Sequence, residues 1–153
     1  FIPARKKSDA MEVLVSRVDK NAKELVYAHE GDSGLDIYSV ETVELKPLER
    51  KLVATGIKIS MPLGLEAQVR PKSGLAINHG ITLLNSPGTI DSSYRGEIKV
   101  IAINLGNEKY VIEEGQKIAQ MVFAKVEHPE LVLSKALGAT TRNEGGFGST
   151  GLK

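Results

Sequence analysis

The sequence contains no cysteine among its 153 residues. This excludes a disulfide framework, a thiolate nucleophile and a zinc site built on cysteine ligands. The absence fits a reducing compartment, and we expect a soluble, cytoplasmic protein. No apolar run approaches the roughly 20 residues that span a bilayer, so we expect no membrane partner.

The sequence also lacks a long block of charge of one sign. Lys and Arg number 20 against 19 Asp and Glu, for a net charge of +1. Without an extended basic stretch there is no electrostatic footprint for nucleic acid, and no such partner is expected. The one short basic cluster is Arg5-Lys6-Lys7. We interpret residues 1–10 as a disordered extension or an expression remnant rather than a targeting segment.

Signatures of covalent catalysis are missing as well. His29, His79 and His128 are scattered and follow no HExxH or HxE pattern. There is no Ser-His-Asp signature either. What remains is acidic chemistry, in which a carboxylate activates water while hydrogen-bond donors and a metal hold phosphate.

What the sequence does have is alternation with a period of two residues, interrupted by turns that contain Gly and Pro. This pattern is typical of an all-β sandwich or barrel. GLAINHGI (74–81) has room for a helical turn, but its glycines favour a loop there, and LVLSKAL (131–137) is short and ambiguous. The alternating segments are MEVLVSRV (11–18), TVELKPL (42–48), LVATGIKISM (52–61), EAQVR (66–70), EIKVIAIN (97–104), EKYVIEE (108–114) and KIAQMVFAKVE (117–127).

The composition changes after Leu137, where Gly, Ser and Thr replace the apolar residues. Such a segment buries too little surface to order itself. We therefore expect one β domain over residues 11–137 and a mobile C-terminal arm over residues 138–153. The arm carries Arg142 and an isolated aromatic, Phe147, which a tail that only confers solubility has little reason to hold.

Three segments are candidates for phosphate or metal chemistry, and each has a simpler explanation. In RPKSGLA (70–76), Lys72, Ser73 and Gly74 offer a cation, a hydroxyl and an anion nest, or only a loop with a turn glycine. In RNEGGFGSTG (142–151), polar groups can wrap a phosphate, or the segment is a loose terminus. In SGLDIYS (33–39), Asp36 interrupts an apolar strand and needs either a salt-bridge partner or a metal-bound water.

A fourth candidate is Asp91 in TIDSSYRGE (89–97). Aspartate often caps a turn, and that is the simpler explanation. The alternative is that Asp91 is a general base. Asp91 and Tyr94 are expected to flank one hairpin turn.

Taken together, five segments resemble the trimeric dUTPase (dUTP pyrophosphatase) family in their order along the chain. The resemblance covers residues 11–151 and implies an antiparallel jelly-roll-like β fold and a homotrimer. It implies active sites shared by three subunits, with the C-terminal arm closing over bound substrate. The five segments are SGLDIYS (33–39), RPKSGLA (70–76), NSPGTIDSSYRGEIKV (85–100), GQKIAQMVF (115–123) and RNEGGFGSTG (142–151).

The resemblance implies that dUTP is hydrolysed to dUMP and pyrophosphate, which keeps uracil out of DNA and supplies dUMP for dTMP synthesis. Asp91 would be the general base for water that attacks the α-phosphorus. Mg²⁺ would bind the triphosphate oxygens and waters rather than protein ligands, which suits its reluctance to dehydrate, and Asp36 would hold one of those waters.

The resemblance also assigns residues to each part of the substrate. Tyr94 would pack against the deoxyribose and exclude a 2′-hydroxyl, and Phe147 would lie over the uracil. Lys72 stands where the family usually has arginine, which keeps the charge but loses the bidentate fork. The phosphate groups would be held by Lys72, Ser73, Gly74, Gln120, Arg142, Gly148, Ser149 and Thr150, and the uracil pocket would be formed by Asn85, Gly88, Thr89 and Ile90 with Lys99 nearby.

Two alternatives stay open at this point. One is a dCTP deaminase of the same fold, with or without pyrophosphatase activity, although the segment IKVIAIN (98–104) offers no carboxylate after Glu97. The other is a catalytically silent module that binds nucleotide or protein.

Overall fold

The structure is a computed structural model, and it describes residues 11–153. The extension expected at residues 1–10 lies outside the described residues. Strands dominate the described chain, which confirms the all-β prediction. In order, the elements are β1 (Leu14–Arg17), β2 (Leu35–Tyr38), β3 (Val43–Leu45), β4 (Arg50–Ala54), β5 (Ile57–Ser60), β6 (Leu65–Arg70), α1 (Ser73–His79), β7 (Ile81–Leu83), β8 (Gly88–Ile90), β9 (Lys99–Asn104), β10 (Tyr110–Ile112) and β11 (Lys117–Lys125).

The strands form antiparallel sheets of a jelly-roll-like sandwich. One sheet has four strands in the order β2-β11-β6-β8, and another has three in the order β4-β9-β7. Two smaller pairs, β1-β5 and β10-β3, complete the arrangement. Neighbours in each sheet are distant in sequence, as in a fold whose strands cross between layers.

The core follows directly from the alternation in the sequence. In β6 and β9, every second residue is buried, because successive strand side chains point to opposite faces. Ile37, Leu45, Ile112 and Met121 are almost completely buried. Full burial of one such side chain contributes about 1.5–3 kcal/mol.

The buried Asn104 fixes one end of the three-stranded sheet. Its Nδ2 donates to the carbonyls of Leu45 at 2.9 Å and Glu108 at 2.8 Å. Its Oδ1 accepts from the backbone N–H of Gly106 at 2.8 Å. Because each polar atom of this side chain has a hydrogen-bond partner, the buried amide leaves no polar atom unpaired.

The prediction of a loop over residues 74–81 is wrong, because Ser73–His79 form the short helix α1. The glycines do not break this helix. Gly74 lies in the first turn, and Gly80 follows the last one with a left-handed φ of 66°. Its N–H bonds the carbonyl of Ala76 at 3.0 Å, and glycine is favoured at this C-terminal position. Residues 131–137 form neither helix nor strand.

The expected hairpin around Asp91 and Tyr94 is also wrong. Strand β8 pairs with β6, whereas β9 pairs with β4 and β7. Residues 91–98 therefore pass from one sheet to another, and this connection is longer than the two- to five-residue loops of hairpins. A local turn does exist, since the N–H of Tyr94 donates to the carbonyl of Asp91 at 3.1 Å.

The last strand ends at Lys125, and residues 126–153 form no regular element. Within this segment, Leu131, Val132, Leu133 and Leu137 are exposed, although they are apolar. The boundary at residue 137 between domain and arm stays a prediction.

Candidate active site

A cavity of about 510 Å³ lies where β8 ends and β9 begins. It brings together five residues that the sequence analysis placed in the site: Thr89, Ile90, Asp91, Tyr94 and Lys99. Ile90 is buried, whereas the side chains of Asp91 and Tyr94 are exposed. The cavity thus joins an apolar wall to an accessible carboxylate, an aromatic ring and a cation.

The segment 91–97, which we call the 91–97 loop, is closed by its own hydrogen bonds. The hydroxyl of Tyr94 donates to the carbonyl of Glu97 at 2.9 Å. Arg95 Nη1 donates to the carbonyls of Ser92 at 2.6 Å and Tyr94 at 3.0 Å. These contacts hold the ring of Tyr94 against the end of the loop.

Glycine is required at position 96 in this loop. A Cβ at Gly96 would lie 2.3 Å from the hydroxyl oxygen of Tyr94 and 2.5 Å from its Cζ. Such contacts are far closer than carbon atoms tolerate, so any side chain here would displace the ring. We expected the Asp91 side chain to cap the turn, but among the described residues it accepts no hydrogen bond. The turn is closed instead through the backbone carbonyl of Asp91.

A smaller cavity of about 70 Å³ adjoins the first and shares Thr89, Ile90 and Lys99 with it. Asn85 and Gly88 line it too. Strand β8 is the last strand of its sheet, so one backbone edge is free of a neighbouring strand. Backbone donors and acceptors on such an edge can read the edge of a planar base.

A second group of predicted residues lies at the far end of the same sheet. Lys72 Nζ contacts Asp36 Oδ1, and Lys117 Nζ lies 3.3 Å from Asp36 Oδ2. Gln120 Nε2 donates to the carbonyl of Pro71 at 3.0 Å. A Cβ at Gly34 would lie 2.7 Å from Gln120 Oε1, so glycine there makes room for the amide.

The charge of Asp36 is stabilised by its two lysines. Burial raises the pKa of this carboxyl group, but the hydrogen bonds and positive charges of Lys72 and Lys117 outweigh burial. The net pKa lies below the ordinary value of 3.8. Both carboxylate oxygens contact ammonium groups, which favours the salt-bridge explanation over the metal-bound water.

Ser73 and Gly74 open helix α1 and are exposed. They follow Lys72 directly, so the three residues stay together as the sequence predicted. The backbone N–H of Ala76 donates to the carbonyl of Lys72 at 3.0 Å. This segment therefore holds a cation and a hydroxyl beside the amide of Gln120.

The two groups lie at opposite ends of β6 within one chain. Ile90 pairs with Ala67, whereas Gln120 pairs with Arg70. These two points are about 10 Å apart at roughly 3.3 Å per strand residue. Asp91 follows Ile90 in the chain, and Lys72 lies two residues after Arg70. Because β6 and β8 are antiparallel, Asp91 and Lys72 lie further apart than these two points.

The C-terminal residues form a third group that stands apart. Arg142 Nε donates to the carbonyl of Gly145 at 2.7 Å, and Thr140 and Asn143 exchange hydrogen bonds at 2.9 Å. Phe147 is fully exposed. None of the residues described beyond 126 lines the two cavities at β8. The neighbouring Gly148, Ser149 and Thr150 are exposed too.

The sequence analysis did not select four of the residues that line the larger cavity, which are Leu52, Glu97, Ile98 and Ile101. Glu97 lines the larger cavity, and Leu52 and Ile101 form its apolar side. Glu97 belongs to a quoted motif, but nothing in its spacing separates it from an ordinary turn carboxylate. Leu52 lies far away in sequence, so only the pairing of β4 with β9 brings it here.

Residues 11–153 contain no group of three or more His, Asp or Glu side chains arranged to hold a metal ion. In the same part of the chain, no helix is both long and apolar enough to cross a membrane.

Comparison with known proteins gives a consistent result. The family model described as dUTPase matches residues 20–151. A deoxyuridine 5′-triphosphate nucleotidohydrolase of Clostridium kluyveri is 62% identical over 141 residues, covering 92% of this chain and 99% of that protein. A protein of the same description from Clostridium novyi is 55% identical and covers 93% of this chain and 100% of its own length.

Solved structures agree with the sequence relatives. The dUTPase of Staphylococcus bacteriophage 80alpha with dUpNHpp is 27% identical, with a TM-score of 0.87 over 92% of this chain and 99% of the other. A variant dUTPase from phage phi11 of S. aureus, described with a structural Mg(II) ion, is 25% identical. Its TM-score is 0.78, over 84% of this chain and 99% of the other.

Proposed function

Because the chain belongs to the dUTPase family, we propose that it hydrolyses dUTP to dUMP and pyrophosphate. The observation that carries this proposal is the cavity in which Asp91, Tyr94 and Lys99 meet the edge of β8. One cavity thus offers a carboxylate for water, a ring for the sugar and a backbone edge for the base.

In the chemical step, Asp91 accepts the proton of a water molecule as its oxygen attacks the α-phosphorus. The new bond joins that oxygen to the α-phosphorus, and the bond to the bridging oxygen of the β-phosphate breaks. Pyrophosphate leaves with the bonding electrons. A carboxylate is a weak base, so much of the acceleration comes from positioning and from stabilising charge on the phosphates.

Recognition of uracil rests on Asn85, Gly88, Thr89 and Ile90, with Lys99 nearby. These residues line the smaller cavity, and a narrow pocket there would reject the 5-methyl group of thymine by steric exclusion. Cytosine presents different donors and acceptors to the same edge, and mismatched buried polar groups are costly.

Tyr94 acts as the gate for the sugar. Its ring is held by the hydrogen bond from its hydroxyl to the Glu97 carbonyl and by close contact with Gly96. A ring fixed in this way leaves no space for a 2′-hydroxyl, so dUTP is preferred to UTP.

Phosphate binding uses the two other groups of residues. Lys72, Ser73, Gly74 and Gln120 hold the phosphate chain from the end of β6. Arg142 grips the γ-phosphate, and Phe147 covers the uracil once the arm closes. Closure excludes water from the phosphates, and the remaining contacts to the γ-phosphate come from Gly148, Ser149 and Thr150.

The working unit is a homotrimer with shared sites. Within one chain, Asp91 and Lys72 lie beyond opposite ends of the β6–β8 pairing, and this separation supports a site that a second copy completes. The exposed apolar residues Leu131, Val132 and Leu133 suit packing against another copy, since monomers rarely expose such contiguous apolar surface.

Mg²⁺ supplies charge neutralisation on the triphosphate when bound. We infer that the ion would be held by phosphate oxygens and waters, which suits its reluctance to dehydrate. A water held by Asp36 stays a prediction, and so does the cytoplasmic location. The metabolic role follows from the reaction: uracil is kept out of DNA, and dUMP is supplied for dTMP synthesis.

The test is pyrophosphate release with Mg²⁺ from dUTP, dTTP, dCTP and UTP in parallel. We expect turnover of dUTP and little of the others. Ammonia release from dCTP, measured in the same samples, would support the deaminase instead. If dUTP binds and no nucleotide is turned over, the protein is a silent binding module.

A further inference from the structure

Thr140 and Asn143 bond each other in both directions within the C-terminal arm. The N–H of Thr140 donates to Asn143 Oδ1, and the N–H of Asn143 donates to Thr140 Oγ1, each at 2.9 Å. We call this pair the Thr140–Asn143 box. A capping box at the start of a helix uses the same exchange, in which each side chain satisfies the backbone N–H of the other residue. Neither side chain is assigned to the substrate, yet Arg142 lies between them in the chain.

The box closes onto the turn that carries Arg142. The N–H of Gly145 donates to the Arg142 carbonyl at 3.0 Å, and Asn143, the first central residue of this turn, has a left-handed φ of 46°. Such a φ is strained for most residues, whereas asparagine adopts it readily. Because Thr140 holds both the side chain and the N–H of Asn143, the box fixes the residue whose backbone makes the turn.

The turn also fixes the side chain of Arg142. Its Nε donates to the carbonyl of Gly145 at 2.7 Å, although the residue is exposed. This bond uses only Nε, so the end of the guanidinium group, with Nη1 and Nη2, remains for a ligand. Arginine binds phosphate through such a fork of N–H donors.

Ser149 lies against the same turn. A Cβ placed on Gly145 would come within 3.0 Å of Ser149 Oγ and 3.6 Å of Arg142 Cγ. Both side chains therefore lie over one face of Gly145, and the missing Cβ leaves room for them. The turn thus brings together a cation and a hydroxyl, which are the two kinds of donor that the proposed function gives to the γ-phosphate.

We propose that Thr140 and Asn143 are positioning residues for the γ-phosphate, because their box forms the Arg142 turn before substrate binds. The inference rests on the proposed function, from which it takes the contact between Arg142 and the γ-phosphate. A segment that is already in its bound conformation loses less entropy when the ligand arrives. The arm still has to move over dUTP, but the turn that holds Arg142 and Ser149 does not have to form at that step.

Three substitutions test the proposal, and the same change at a neighbouring residue is the control. Thr140→Val removes Oγ1 and keeps the branched shape, whereas Thr140→Ser keeps the hydroxyl. Asn143→Gly allows the left-handed φ but removes the side-chain acceptor. The matched control is Thr141→Val, because Thr141 is exposed and takes no part in the box.

NMR spectra of the nucleotide-free protein measure whether the box forms the turn. The signals are the Nε–H resonance of Arg142 and the amide resonance of Gly145, since both groups donate hydrogen bonds within the turn. We expect Thr140→Val to shift both resonances and to speed their exchange with water, and Thr140→Ser and Thr141→Val to leave them unchanged. Unchanged resonances in Thr140→Val would overturn the proposal, because the turn would then form without the box.

Calorimetric titration measures whether the box acts on the γ-phosphate. The probes are dUpNHpp, which has all three phosphorus positions, and dUMP, which has only the first. We expect Thr140→Val to weaken dUpNHpp binding about fivefold, the effect of one neutral hydrogen bond, and Asn143→Gly to weaken it as well. Binding of dUMP should not change. An equal loss for dUMP, or no loss for dUpNHpp, would overturn the proposal, since the effect would not depend on the γ-phosphate.

The proposed function and this inference can fail separately. If the wild-type protein binds dUpNHpp but does not turn over dUTP, hydrolysis is refuted, and the spectra and titrations still decide the role of the box. If dUTP is hydrolysed and Thr140→Val binds dUpNHpp as tightly as wild type does, the positioning role is refuted and hydrolysis stands.

Discussion

The 91–97 loop and the C-terminal arm are both polar segments with glycine and one aromatic residue, yet the structure treats them differently. The loop closes on itself through Tyr94, Arg95 and Gly96. The arm makes turns of its own around Arg142 and leaves Phe147 fully exposed.

This difference separates the part of the site that one chain forms by itself, the 91–97 loop, from the part that needs a partner or a substrate, the arm. The loop connects two sheets, so both of its ends are fixed by strand pairing. Among the described residues, no strand pairs with the arm. We infer that the base and the sugar gate are in place before dUTP binds, whereas the arm becomes ordered over dUTP and pays that ordering entropy at the binding step.

The largest expected effect is that of Asp91→Asn. The substitution keeps the size and removes the basic group, so turnover should fall about 10²–10⁴-fold while dUpNHpp still binds. Single-turnover kinetics and calorimetric titration measure the two quantities. Asp19→Asn is the control, because Asp19 Oδ1 only accepts a turn hydrogen bond from Asn21. A variant with near-wild-type kcat would show that Asp91 is not the base.

Removal of the residues after Ala139 should have the next largest effect. Without the arm, water stays at the phosphates and the γ-phosphate loses its clamp, so kcat should fall roughly 10²-fold. The trimer should persist, since the 91–97 loop and the sheets are untouched. Light scattering after gel filtration gives the assembly state. A dissociated protein would show that the arm is structural, and the arm would then no longer differ from the 91–97 loop in this respect.

A smaller effect is expected for Tyr94. Replacement by alanine should narrow the ratio of kcat/KM for dUTP over UTP by about tenfold, since discrimination by steric exclusion in a pocket is of this order. Tyr94→Phe is the matched control: it keeps the ring and loses the hydrogen bond to Glu97. An unchanged ratio in the alanine variant would rule out the sugar gate.

The sequence predicted the strands well wherever the alternation is long. β6, β9 and β11 follow the expected segments, because each has an inner and an outer face. β7 and β8 have three residues each, which is too short for a period to be recognised. The glycines favoured a loop over α1, but Gly74 lies in the first turn and Gly80 follows the last residue, so neither interrupts the helix.

Parts of the site could be predicted and parts could not. Motifs place Asp91 and Tyr94 near each other because only two residues separate them in the chain. The pairing of Lys72 with Asp36 was open, since a strand aspartate predicts a cation but does not say which one. Glu97 and Leu52 depend on pairing between distant strands, and no local pattern carries that information.

The smallest effect concerns the cluster of Asp36 with Lys72 and Lys117. Like the 91–97 loop, this cluster lies on the body of the protein, so its contribution to stability should not depend on the arm. The folded pKa of Asp36 lies below its ordinary value of 3.8. Its ion pairs therefore contribute stability that is fully present above that value and is lost as the pH falls through the folded pKa. We expect wild type to be more stable than Asp36→Asn at pH 7, and this gap in stability to shrink as the pH falls below 3.8.

Denaturant titrations at each pH measure the gap in the free energy of unfolding. The control is Glu49→Gln, which removes one partner of the ion pair with Lys51. Truncation of the arm should leave this gap unchanged. A gap that is constant with pH would mean that the lysines do not stabilise the charge of Asp36.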